Sequence, residues 1–117
     1  MRELKFRVWN KTLHQYGHFA LKKGVSVGIV ADLEIEQYTG LKDKNGREIY
    51  EGDIVRFYGR YISAITWDTV RASFQWFAIN NIGDGYCRLN EFDKDFYEVI
   101  GNIHENPELL EQEDVKD

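Results

Sequence analysis

Between Asp53 and Ile79 the chain carries three short β-rich runs, Asp53 to Tyr58, Tyr61 to Trp67 and Val70 to Ile79, broken only at Gly59-Arg60 and Asp68-Thr69. Ile54, Phe57, Ile62, Ala64, Ile65, Trp67, Phe74, Trp76 and Ile79 are mostly branched or aromatic, the side chains that suit a pleated, packed surface. Such short connections favour antiparallel neighbours. The pattern predicts a small, strongly bent sheet or barrel.

The rest of the chain fits that frame. Leu4, Phe6 and Val8 alternate with Glu3, Lys5 and Arg7, the period-two signature of a half-buried strand. Asn10 to Gln15 reads as a turn into a second strand anchored by Tyr16, Phe19 and Leu21, with Gly17, Gly24 and Gly28 interrupting its regularity. Glu34 to Tyr38 is extended. Asn45-Gly46, between Leu41 and Ile49, is a strong reversal signal because both residues tolerate positive φ. In Glu51-Gly52-Asp53, Gly52 can take positive φ and Asp53 can bond the backbone of its own turn, which sets how the next strand begins. Gly83-Asp84-Gly85 makes another reversal, and Tyr97 to Ile103 is a last strand. Asn106-Pro107-Glu108 combines an N-cap acceptor, a proline suited to the first helical position and a carboxylate near the positive end of the dipole. A short C-terminal helix, docked by Leu109 and Leu110, is expected there.

A chain of 117 residues with 43% hydrophobic side chains suffices for one core. The single cysteine, Cys87, excludes an internal disulfide and a multi-cysteine zinc site, and fits a reducing compartment. The opening MRELKFRVWN has no apolar run of signal-peptide length. The low-charge stretches Gly24 to Ala31 and Ala72 to Ile82 are too short to cross a bilayer, so a cytoplasmic location without membrane contact is expected. Charge is uneven: from Glu91 onward ten carboxylates face only Lys94 and Lys116, a sum of −8 within a net −5. Such a tail can steer a basic partner and repel nucleic acid.

No constellation of residues assembles a recognisable catalyst. Glu48, Glu51 and Asp53 could converge on Mg²⁺, yet no phosphate-binding glycine loop or fixed base accompanies them. Asp43-Lys44-Asn45-Gly46 matches only the start of a calcium loop and lacks its closing glutamate. His14 and His18 are four apart, with His104 distant, and Gly17 argues against the helix that would bring the first two to one face. Cys87 has no evident activating neighbour. No catalytic, cofactor or metal residue is therefore assigned. Arg56, Arg60 and Arg71, interleaved with Tyr58, Tyr61 and Trp67, could form the aromatic and basic face that small barrels present to single-stranded nucleic acid, although the net charge opposes it. Arg56, Tyr58, Arg60, Tyr61 and Arg71 form the candidate partner-binding surface, and Asn45, Gly46, Gly52 and Asp53 are structural turn residues.

At residues 37 to 57, QYTGLKDKNGREIYEGDIVRF, the sequence resembles the YopX-like family of phages and prophages of Gram-positive bacteria, and MRELKFRVWN and YEVIGNIHENPELLE resemble that family's two ends. The resemblance implies an all-β protein: a smaller N-terminal β subdomain at 1–36 packed on an SH3-like barrel or roll at 37–117, in an infected or lysogenic bacterial cell. The run EGDIVRFYGRYISAITWD resembles the opening of such a barrel. The family carries no activity that transfers residues to a mechanism. The resulting expectation is a non-enzymatic adaptor that binds a phage or host protein, or itself. A nucleic-acid-binding barrel ranks second, and a metal-dependent enzyme third.

Overall fold

In the computed structural model, which describes residues 4–19, 32–78 and 85–111, strands alternate with tight turns from one end to the other. The order is β1 (Phe6–Asn10), β2 (Gln15–Phe19), β3 (Leu33–Lys42), β4 (Glu48–Tyr50), β5 (Asp53–Phe57), β6 (Tyr61–Ala64), β7 (Thr66–Asp68), β8 (Ser73–Ala78), β9 (Gly85–Arg88) and β10 (Tyr97–Asn102). Two 3-10 helices, Glu91–Phe96 and Pro107–Glu111, flank β10. The sheets have the orders β2-β1-β3-β4, β10-β5-β6 and β7-β8-β9, and every strand pair is antiparallel. The ten-residue β3 is continuous across position 36, so it joins the first two strands and β4 in one sheet.

Ile49 of β4, Val55 and Phe57 of β5, Phe74 and Trp76 of β8, Tyr97 and Val99 of β10, and the linkers Ile65 and Leu89 form one buried cluster. Phe57 stacks on Trp76 with ring centroids 3.9 Å apart and meets Tyr97 edge-on at 5.0 Å. Burying a side chain such as Phe57 contributes roughly 1.5–3 kcal/mol. Three small sheets share this one apolar interior, and the assembly curls as a half-barrel.

Several local expectations are corrected. β1 is half-buried as expected, with Phe6 and Val8 partly buried, but Leu4 lies outside the strand at 71% exposure, and on the opposite face Trp9 is buried and the Arg7 side chain points inward. The charges of Glu36 and Asp53 and the faces of Tyr16 and Tyr50 make that inward position favourable for a guanidinium. Val70 does not begin a strand; it is 89% exposed in a turn. Asp68 Oδ1 accepts from the backbone N–H of Val70 and Arg71, Ala72 takes φ 50°, and β8 starts only at Ser73. β9 and the 3-10 helix Glu91–Phe96 were not legible along the chain; Asn90 opens the latter, its Oδ1 accepting from the Asp93 N–H at 2.9 Å. The C-terminal helix expected at Pro107 is a 3-10 turn over its described residues. Asn106 Oδ1 there receives the backbone N–H of Asn102 at 3.2 Å, and Leu109 N–H bonds back to the Asn106 carbonyl. The sequence readings at Leu21, Gly24, Gly28, Ile79 and Gly83-Asp84 lie outside the described residues. Among the described residues no helix is long and apolar enough to cross a membrane.

Candidate functional site

The turn residues act locally. Gly46 takes φ 81°, and its N–H bonds to the Asp43 carbonyl at 3.0 Å. Asp43 itself is buried: Oδ1 accepts from the N–H groups of Asn45 and Arg47, and Oδ2 from the Val99 N–H, all at 2.9 Å. Its carboxylate is thus consumed in fastening the β3–β4 reversal to β10. Gly52 takes φ 89°, and Asp53 Oδ2 accepts the Tyr50 N–H at 2.8 Å at the start of β5.

The candidate carboxylates Glu48, Glu51 and Asp53 have separate surroundings. Glu48 accepts from Lys5 Nζ and from the Tyr50 hydroxyl, and the Lys5 hydrogen bond holds its carboxyl below the usual range. Burial raises the Glu51 carboxyl, with the charge of Glu36 adding to the effect. Asp53 is 1% exposed, and its Oδ1 lies 2.8 Å from Arg7 Nη2, an ion contact rather than an aligned hydrogen bond.

A different set converges instead. Arg7 of β1 lies directly opposite Glu36 of β3, and Trp9 opposite Glu34, so these four share one face of the first sheet. Arg7 Nε donates to Glu36 Oε1 at 2.8 Å, and the Tyr16 hydroxyl donates to the same oxygen at 3.0 Å. Burial pushes the Tyr16 phenol well above its ordinary range against the opposing charge of Arg7, so it stays a neutral donor. His104, from the turn after β10, stacks on Trp9 with ring centroids 4.6 Å apart and planes 6° from parallel. Its Nε2 lies 2.8 Å from Glu36 Oε2 and 3.3 Å from Glu34 Oε2. Beside these residues an open groove of about 520 Å³ is lined by Glu34, Glu36, Glu51, Gly52, Trp67 and Ile103, among others. His14 is exposed on the β1–β2 turn and meets the Trp9 ring edge-on at 6.2 Å, and the His18 side chain lies outside the described residues. The sequence signal for the cluster is the pair of i, i+2 positions Arg7/Trp9 and Glu34/Glu36, which requires knowledge of the strand pairing to be read.

The candidate partner surface divides. Arg56 pairs with Glu98 across the β5–β10 ladder at 3.2 Å, Arg60 lies over the Tyr61 ring at 5.3 Å, and Arg71 pairs with Asp68 at 3.0 Å. Each arginine is engaged with a different partner. Tyr61 packs against the core and lies near Trp76. Tyr58 differs: it takes φ 57° and Gly59 φ 72°, with the Arg60 N–H closing the turn on the Phe57 carbonyl at 3.0 Å. The Tyr58 ring stacks on Phe96 at 5.5 Å, its hydroxyl donates to Asp93 Oδ2 at 3.0 Å, and its N–H bonds to the Phe96 carbonyl. Burial, then the Asp93 hydrogen bond, pushes this phenol up to about 12. Tyr58, Phe92 and Phe96 remain exposed, alongside Glu91, Asp93 and Asp95 of the same 3-10 helix.

No curated protein matches this chain. Among solved structures, the crystal structure of protein EF1440 from Enterococcus faecalis is similar, with 30% identity and a TM-score of 0.54 over 94% of this chain and 99% of that one. The model of the YopX protein family matches residues 17–111, which take in every strand from β3 to β10, and the chain belongs to that family.

Proposed function

We propose that the chain is a non-enzymatic adaptor of phage or prophage origin, acting in the bacterial cytoplasm, that holds a basic segment of a phage or host protein against the ridge of Tyr58, Phe92 and Phe96. Tyr58 is the observation that carries the reading. A turn with positive φ at two successive positions favours Gly, Asn and Asp, and a tyrosine there costs on the order of 1–2 kcal/mol. Such strain concentrates at functional positions. The ring remains 44% exposed and extends an aromatic surface with Phe96. The carboxylates around it favour a basic occupant.

The reading takes 37–117 as an SH3-type barrel that presents its turns to the partner, with 1–36 as an addition packed on it. The separate engagement of Arg56, Arg60 and Arg71 weighs against a nucleic-acid face, and the separate surroundings of Glu48, Glu51 and Asp53 weigh against a Mg²⁺-dependent enzyme.

The test is recovery of tagged chain from infected or lysogenic cells, with and without nuclease, beside a Tyr58→Gly variant. The expected result is a protein partner that survives nuclease and is lost with Tyr58→Gly. Affinity for nucleic acid is expected within the non-specific range of roughly 10⁻⁴ to 10⁻⁶ M at physiological salt. Sub-micromolar nucleic-acid binding with a steep salt slope, abolished by replacing Arg56, Arg60 and Arg71, would replace this reading with its rival.

A further inference from the structure

We infer that Glu34, Glu36 and His104 form a binding site for a divalent first-row cation of the zinc type at the edge of the groove beside β3. The inference is independent of the adaptor reading and rests on different residues. One imidazole nitrogen and two carboxylate oxygens lie within 4.8 Å of one another, Nε2 being 2.8 Å from Glu36 Oε2 and 3.3 Å from Glu34 Oε2. Donors held about 2.0–2.1 Å from zinc are separated by roughly 2.9–3.4 Å along the edges of an octahedral or tetrahedral shell. The two imidazole-to-carboxylate spacings lie close to those edges. An imidazole with carboxylates suits zinc better than Mg²⁺ or Ca²⁺, which prefer oxygen alone.

The surroundings orient each donor. Arg7 Nε and the Tyr16 hydroxyl both occupy Glu36 Oε1, which leaves Oε2 turned toward His104. Trp9 sets the plane of the imidazole, and Asn102 Oδ1 holds the His104 backbone N–H at 3.0 Å. Outer contacts of this kind fix ligand direction in metal sites. The Glu36 carboxylate also fills a space that any residue larger than glycine at position 52 would take, with Oε2 2.6 Å from an added Cβ.

Charge points the same way. Glu34, Glu36 and Glu51 line the groove, Glu36 pairing with Arg7, which Asp53 shares from beneath, and Glu34 with the more distant Lys11. A divalent cation would offset the excess of carboxylate, and the groove leaves its remaining positions open to solvent or to a ligand.

The test is calorimetric titration of the full chain with zinc chloride and, separately, magnesium chloride. One equivalent of zinc should bind, with magnesium far weaker. Glu34→Gln changes a half-exposed carboxylate and should weaken zinc binding by roughly tenfold or more. His104→Gln should do the same, its fold being checked by near-ultraviolet circular dichroism; if it fails to fold, Glu34→Gln alone decides. No zinc binding by the folded chain, or unchanged affinity in Glu34→Gln, would overturn the site and assign any bound zinc to other donors such as His14 or Cys87.

Discussion

Glu36 Oε2 occupies the space beside Gly52 so closely that a Cβ built on the glycine would stand 2.6 Å from it. The carboxylate cannot swing aside freely, because Arg7, Tyr16 and His104 hold it. Gly52 also takes φ 89°, bonds through its N–H to the Ile65 carbonyl and receives the Ile103 N–H. Gly52→Ala is expected to lower stability by about 1–3 kcal/mol, as backbone strain and the contact with Glu36 combine. Urea unfolding measures it; an unchanged midpoint would show that the carboxylate is not held there.

Arg7 serves two carboxylates at once, Glu36 at 2.8 Å and Asp53 at 2.8 Å, with 12% of its side chain exposed. Arg7→Met keeps volume but leaves two buried acids without their counter-ion. A loss of about 3–5 kcal/mol is expected from removing one partner of a buried ion pair. Arg7→Lys should recover only part of it, since an ammonium lacks the fork that reaches both acids. Equal stability of wild type and Arg7→Met in denaturant titrations would contradict the network.

Tyr58→Ala and Tyr58→Gly both remove the ring, its stacking on Phe96 and its bond to Asp93, so their difference isolates the backbone at φ 57°. Tyr58→Gly should be the more stable of the two by roughly 1 kcal/mol. Thermal unfolding of the pair decides the point, and equal stabilities would mean that the turn relaxes when the ring is gone.

Burial pushes both the Tyr50 and Tyr58 phenols up to about 12, helped by the hydrogen bonds each donates to Glu48 and Asp93. Their unfolded value is about 10. Between those values the unfolded chain loses protons that the folded chain keeps, so stability is fully present below pH 10 and declines as pH rises toward 12. Spectrophotometric titration should show a late tyrosinate fraction in native protein that moves to ordinary pH in urea, and that shrinks in Tyr50→Phe and Tyr58→Phe. A native titration centred on the ordinary tyrosine value throughout would contradict the burial of these hydroxyls.

What could be read from the chain alone is what neighbours in sequence decide. The positive φ of Gly46 and Gly52, the Asp53 bond to its own turn and the antiparallel runs from Asp53 onward follow from turn chemistry and period-two patterning within a few residues. The same reasoning missed the inward turn of Arg7 and Trp9 on β1, because alternation shows that two faces differ and not what each one meets. It also began β8 at Val70 rather than Ser73, where the Asp68 side chain extends the turn. Tertiary structure decided the rest. Glu36 and His104 are 68 positions apart, and Arg7 and Asp53 come from different sheets, so no local pattern brings them together. Only the pairing of β1 with β3, and the return of the chain after β10, place those charges within hydrogen-bond reach, where burial makes each depend on the others.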